Sequence, residues 1–307
     1  MASWQARLAD PFLRFYVKPK LAKAVTADQA RAAFANPAKN WLPTGRNIKV
    51  AAAALGDVPG EWVTGGAGKS PMLYLHGGGY FACSPKTHRP ITSAYARHGF
   101  SVFAAGYRLA PENPFPAAAD DALAAYRAML AAHPAKSIVI AGDSAGGGLA
   151  LVTLLAARDA GLPMPACALL FSPWTDLAGT GESLVSNRDR DPMLVADRLR
   201  EGADIYLAGA DPMNPLASPL YGDLTGLPPM LIQVGADEIL LDDSTRFAAR
   251  AKDAGINVEI EIWAAMPHVW QISQGFMPEA RAALNQAAGF AKARIADERL
   301  ALSPPTA

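Results

Sequence analysis

Apolar residues recur along this chain in two rhythms that alternate from end to end. Short, nearly continuous runs at 72–75, 101–105, 138–141, 168–171 and 230–234 read as strands buried on both faces. Three further strands are expected at 48–55, 62–64 and 258–263. In the last, Val258, Ile260 and Ile262 alternate with Glu259 and Glu261, as on an edge strand with one polar face. Between the runs lie stretches with helical spacing, at 87–98, 118–131, 147–160, 243–254 and 278–294. Strand-helix alternation of this kind predicts an α/β fold, a mostly parallel eight-stranded sheet flanked by helices on both faces.

Two segments break the alternation. Residues 1–45 read as amphipathic helices, with Phe12, Phe15, Tyr16 and Trp41 set among charges. Residues 178–215 are rich in Asp, Arg and Pro. Taken alone, each could be a peripheral arm packed on the core.

Composition narrows the class. With 51% hydrophobic and 18% charged residues over 307 positions, a large core is expected. The 28 basic and 28 acidic residues cancel, which leaves no electrostatic footprint for nucleic acid or an anionic membrane, and neither is expected as a partner. Cys83 and Cys167 are too few for a disulfide framework and read as thiols in a reducing compartment. Cys83 follows a glycine loop, so its modification could inhibit. Charges interrupt the first ten residues, unlike a secretion signal, and no run of about eighteen apolar residues suggests a membrane span. The cytoplasm is the expected compartment.

The chemistry centres on Gly142-Asp143-Ser144-Ala145-Gly146, which follows a strand and precedes a helix. A sharp strand-to-helix turn lifts a serine hydroxyl clear of the sheet, and small residues must flank it. Upstream, His76-Gly77-Gly78-Gly79-Tyr80 follows another strand. Glycines there expose backbone N–H groups, the donors that acyl transfer needs for its oxyanion. Gly77 and Gly78, with Ala145 after the nucleophile, are the expected oxyanion hole. Gly65-Gly66-Ala67-Gly68-Lys69-Ser70 ends like a phosphate loop, but Val63 stands where its first glycine should be and a strand, not a helix, follows. It reads as a hairpin turn. No metal-ligand spacing or long internal repeat is present.

Together the two glycine motifs resemble those of bacterial hormone-sensitive-lipase-like carboxylesterases, of the α/β-hydrolase fold. Tyr107-Arg108-Leu109-Ala110-Pro111-Glu112, Pro114-Phe115-Pro116, Ser172-Pro173-Trp174-Thr175-Asp176 and Asp191-Pro192-Met193-Leu194 extend the likeness over about residues 73–270. Asn113 stands where many such proteins carry histidine. The resemblance implies a catalytic core over 46–177 and 216–307, antiparallel pairing of the first strands, and a helical cap built from 1–45 and 178–215. Tyr80, Trp174 and Met193 are candidate pocket residues.

The order of the triad in this fold is serine, acid, histidine. Of five histidines only His268 follows Ser144, just after the last predicted strand. Asp237 is the expected acid, because it follows the strand at 230–234 and matches the family position. Glu238 is its nearest rival. Asp242 and Asp243 read as helix-start charges. The expected function is hydrolysis of short- to medium-chain carboxylic esters through an acyl-enzyme, with a small-molecule ester substrate and no cofactor or metal. A lipase or an amidase would use the same residues, although no obvious exposed apolar lid favours a lipase. A non-catalytic binding protein on this scaffold would be expected to lack the histidine. The resemblance also implies a possible homodimer through the last strand.

Overall fold

The computed structural model describes residues 2–24, 26–34, 47–66 and 70–301. Trp41 and residues 67–69 of the predicted turn at 65–70 lie outside these residues. All eight strands form one sheet, in the order β1-β2-β4-β3-β5-β6-β7-β8. They are β1 Ile48–Leu55, β2 Val58–Gly65, β3 Ser70–Leu75, β4 Phe100–Ala105, β5 Val139–Asp143, β6 Cys167–Phe171, β7 Met230–Gly235 and β8 Val258–Trp263. β2 pairs antiparallel with both β1 and β4, and β3 through β8 are parallel to β4. This is the α/β-hydrolase arrangement expected from the sequence.

Alternation along the strands divides the core into two halves. Leu73, Leu75, Ile140, Ala168 and Leu170 face one side. There they meet helices α5 (Ala117–Ala132), α6 (Ala145–Asp159) and α9 (Leu241–Asp253). Met72, Tyr74, Val139, Leu169 and Phe171 face α4 (Arg89–Arg97) and α10 (Pro278–Ala301). A parallel strand buried on both sides needs apolar residues at nearly every position, which is why the central runs are continuous.

β2 begins at Val58 rather than 62, α10 runs to Ala301 rather than 294, and α6 starts at Ala145 rather than 147. Its first turn is glycine-rich, a poor helix signal on propensity. Close packing explains those glycines. A Cβ on Gly146 would sit 2.1 Å from the Leu75 carbonyl oxygen, and one on Gly142 would sit 2.2 Å from that of Gly146. Helix and strands therefore approach to backbone distance beneath Ser144.

The two irregular segments lie over the carboxyl ends of the strands. The first holds α1 (Trp4–Phe12), a π-helical turn at Leu13–Val17, α2 (Lys18–Lys23) and α3 (Ala27–Phe34). Polar contacts fasten it. Arg14 donates to the carbonyls of Asp189 and Arg190, and Lys18 to those of Arg188 and Asp191. Arg31 donates to the Phe81 and Ala110 carbonyls and to Glu112. The second segment holds α7 (Ser183–Ser186) and α8 (Ala196–Leu207).

Candidate active site

Ser144 occupies the turn between β5 and α6 with φ 54° and ψ −125°, a conformation a side chain rarely adopts. Strain of this kind costs about 1–3 kcal/mol and persists only where the surroundings enforce it. Here Ser144 N–H donates to the Phe171 carbonyl at 2.8 Å, and its own carbonyl accepts from Gly148 and Trp174. The hydroxyl thus projects from the sheet edge, 2.9 Å from His268 Nε2.

His268 follows β8, and its Nδ1 lies 2.6 Å from Glu238 Oε2. The expected partner, Asp237, is not there. Its carboxylate pairs with Arg190 at the surface, 28% exposed. Adjacent residues in the tight turn after β7 point different ways, and only Glu238 points inward. Its other oxygen accepts from Gly235 N–H at 2.6 Å and Ser172 Oγ at 2.7 Å, so both carboxylate oxygens are fixed and the side chain is fully buried. Burial by itself would lower the His268 pKa, but the charge and hydrogen bond of Glu238 outweigh it, and the imidazole is held above its ordinary value.

The segment at 183–194 buttresses that acid turn. Asn187 donates to the Ala236 and Glu238 carbonyls. Asp191 accepts from Ile239 N–H at 2.9 Å and from Met193 and Leu194 N–H at 2.8 Å. Burial raises the Asp191 pKa despite these bonds. Asp242 and Asp243 do lie in the first turn of α9. Asp243 also accepts from Thr175 and Asp176 N–H, and burial pushes its carboxyl up to about 8.

On the other side of Ser144, Asp143 organises the glycine loop. It accepts from Tyr74 Oη at 2.6 Å, Gly77 N–H at 3.1 Å and His88 Nε2 at 3.2 Å. Burial opposes its charge, but His88 and Tyr74 more than compensate and keep its pKa low. Burial and the neighbouring His88 charge push His76 down to about 3. The bond from Gly77 corrects a further expectation, because this N–H is committed to a carboxylate and Gly77 does not line the cavity. Gly78 and Gly79 do line it, and neither backbone N–H has a hydrogen-bond partner among the described residues. Ala145 opens α6, where first-turn N–H groups lack intrahelical acceptors.

Ser144 opens into a cavity of about 860 Å³. Its walls include Leu13, Leu21 and Ala30 from the N-terminal helices and Leu199 and Ile205 from α8. Trp174 and Met193, two of the candidate pocket residues, border it. Tyr80 does not. Its ring is 1% exposed and stacked on Tyr206 at 3.9 Å, so it locks α8 to the glycine loop from behind the wall. Cys83 lies in the wall, its thiol pushed up to about 12 by burial. A thiol so protonated is a poor nucleophile, which removes the basis for ready modification.

Sequence reasoning missed Gly79 and the Asp143–His88 pair. Asp143 sat inside the serine motif, but nothing in the spacing pointed to its partners.

A buried serine-histidine-carboxylate chain at the carboxyl edge of a parallel sheet defines a hydrolase of nucleophilic type. Residues 72–272 match the alpha/beta hydrolase fold family, and the chain belongs to it. An acetyl-hydrolase of Streptomyces hygroscopicus is 45% identical over 272 residues, 87% of this chain and 88% of that protein. An esterase of Acinetobacter venetianus is 38% identical, over 81% and 84% of the two chains. A crystal structure of an esterase from the bacterial hormone-sensitive lipase family superposes with a TM-score of 0.90 at 40% identity, covering 96% of this chain and 99% of the other. Within the fold family, the chain is therefore a bacterial hormone-sensitive-lipase-like carboxylesterase. No described helix is long and apolar enough to cross a membrane.

Proposed function

We propose that the chain hydrolyses short- to medium-chain carboxylic esters with Ser144 as nucleophile, His268 as general base and acid, and Glu238 as the orienting carboxylate. The observation that carries this reading is the unbroken relay Ser144–His268–Glu238, with contacts of 2.9 and 2.6 Å. His268 takes the Ser144 proton as Oγ attacks the ester carbonyl. Glu238 holds the ring tautomer and stabilises the imidazolium. N–H groups of Gly78, Gly79 and Ala145 receive the oxyanion. His268 then protonates the leaving alcohol, and the alcohol departs as the carbonyl reforms. The same imidazole deprotonates water, which attacks the acyl-enzyme and releases the acid and Ser144.

α1–α3 and α8 serve as a cap that shapes the cavity and limits water. The buttress at 183–194 belongs instead to the acid turn. β8 is an edge strand with Ile262 52% exposed, and it supports a homodimer through that edge. A single monomer peak on gel filtration at micromolar concentration would remove the dimer. The two free cysteines fit a cytoplasmic setting.

The test is turnover of p-nitrophenyl esters from acetate to palmitate, with wild type beside Ser144→Ala. A short-chain optimum lost in the mutant supports the reading. A long-chain optimum points to a lipase, and no turnover by folded protein would overturn it.

A further inference from the structure

The N-terminal helices have two faces of different character. One side places Leu13 and Leu21 in the wall of the Ser144 cavity. The other leaves Trp4, Leu8, Phe12, Phe15 and Tyr16 between 56% and 71% exposed. Phe276, 46% exposed, packs edge-on against Trp4 and extends the patch. Among the described residues ten large apolar side chains are exposed, and these are six of them. Clustered exposure of this kind marks an interaction surface, whereas scattered single residues would not.

Charge selects the partner. Overall neutrality conceals a local excess, for residues 1–23 contain five Lys or Arg and a single acid, Asp10. Arg14 and Lys18 are spent on carbonyls, and Asp10 is paired with Arg14. Arg7, Lys20 and Lys23 are exposed and pair with no carboxylate among the described residues. A second copy meeting this face about a two-fold axis would bring like charges together. Exposed aromatic residues on helices that also carry exposed cations suit the headgroup region of a membrane.

We infer that α1 through α2 is an interfacial docking helix for a phospholipid surface bearing anionic headgroups. This goes beyond ester hydrolysis and does not rest on it. It also revises the expectation of no membrane partner, which came from net charge. The apolar side chains enter the acyl boundary while Arg7, Lys20 and Lys23 meet the headgroups. The docked face is then one helix thickness from the cavity.

The test is co-sedimentation of the full chain with vesicles of phosphatidylcholine, alone or mixed with phosphatidylglycerol. Wild type should pellet with the mixed vesicles, and less as salt rises. Phe12→Ser/Phe15→Ser and Lys20→Glu/Lys23→Glu should each bind about tenfold more weakly, or worse. Circular dichroism and vesicle-free turnover of p-nitrophenyl butyrate should stay as in wild type. Should the serine variant fail to fold, the surface lysine variant decides alone. Ser144→Ala should pellet like wild type, which separates docking from catalysis. Wild type left in the supernatant with phosphatidylglycerol vesicles would overturn the inference. So would unchanged binding by a folded variant, or a dimer in solution that Phe12→Ser/Phe15→Ser dissociates.

Discussion

Around Ser144, carboxylates spend their oxygens inside the fold. Glu238 meets His268, Ser172 and Gly235; Asp143 meets Tyr74, Gly77 and His88; Asp191 meets three backbone N–H groups. The N-terminal arm, only one cavity away, does the reverse. It turns Phe12, Phe15 and Tyr16 to solvent and is fastened mainly by long cationic side chains reaching backbone carbonyls. The sheet edge holds its geometry because displacing one buried group leaves another unsatisfied. The arm lacks that penalty, since water can replace most of its contacts. The proposed chemistry rests on the first region, and the proposed docking surface on the second.

Four substitutions or measurements would sharpen or break this contrast. Ser144→Ala should reduce kcat by about 10⁴ or more with the fold intact, as circular dichroism would confirm. Retained turnover would move the nucleophile elsewhere. Glu238→Gln should lower kcat by roughly 10²–10⁴, whereas Asp237→Asn should stay within about twofold of wild type. The opposite ranking in steady-state kinetics would restore Asp237 as the acid.

The pH profile reads the same pair. The proposed mechanism needs neutral His268, whose pKa in the fold is raised, so activity should be present at higher pH and lost as pH falls through that raised value. The acid limb of kcat/KM should therefore have its midpoint above about 6.5, the ordinary imidazole value. In the residual activity of Glu238→Gln it should move to lower pH, because burial remains while the compensating charge is gone. A limb that does not move would uncouple Glu238 from the base. A much smaller effect than at Ser144 or Glu238 is expected in the arm. Arg31→Ala removes the ties to Phe81, Ala110 and Glu112. KM for soluble esters should rise by about two- to fivefold with kcat little changed. A large fall in kcat would mean that the arm also holds the catalytic geometry.

Much of this was legible in the primary structure. Continuous apolar runs located the buried strands, because a parallel strand covered on both sides has no polar face to interrupt it. Ser144 and His268 were legible because a strand-turn-helix context and chain order are both one-dimensional facts. The start of α6 was obscured, since Gly146 answers to the Leu75 carbonyl across the sheet and not to helix propensity.

The choice between Asp237 and Glu238 belonged to tertiary structure alone. The two are neighbours of like charge, and only the direction of the turn after β7 decides which meets His268. Gly77 lost its N–H to Asp143 for a similar reason, a contact across 66 residues. Tyr80 went behind the cavity wall because Tyr206 of α8 offered it a stacking partner. The arm shows the same limit. Its amphipathic pattern announced one apolar face, but helical spacing carries no record of which neighbours are present to cover it. Local sequence sets what an element is and which side of it is apolar, whereas the long-range packing of other elements decides what that side meets.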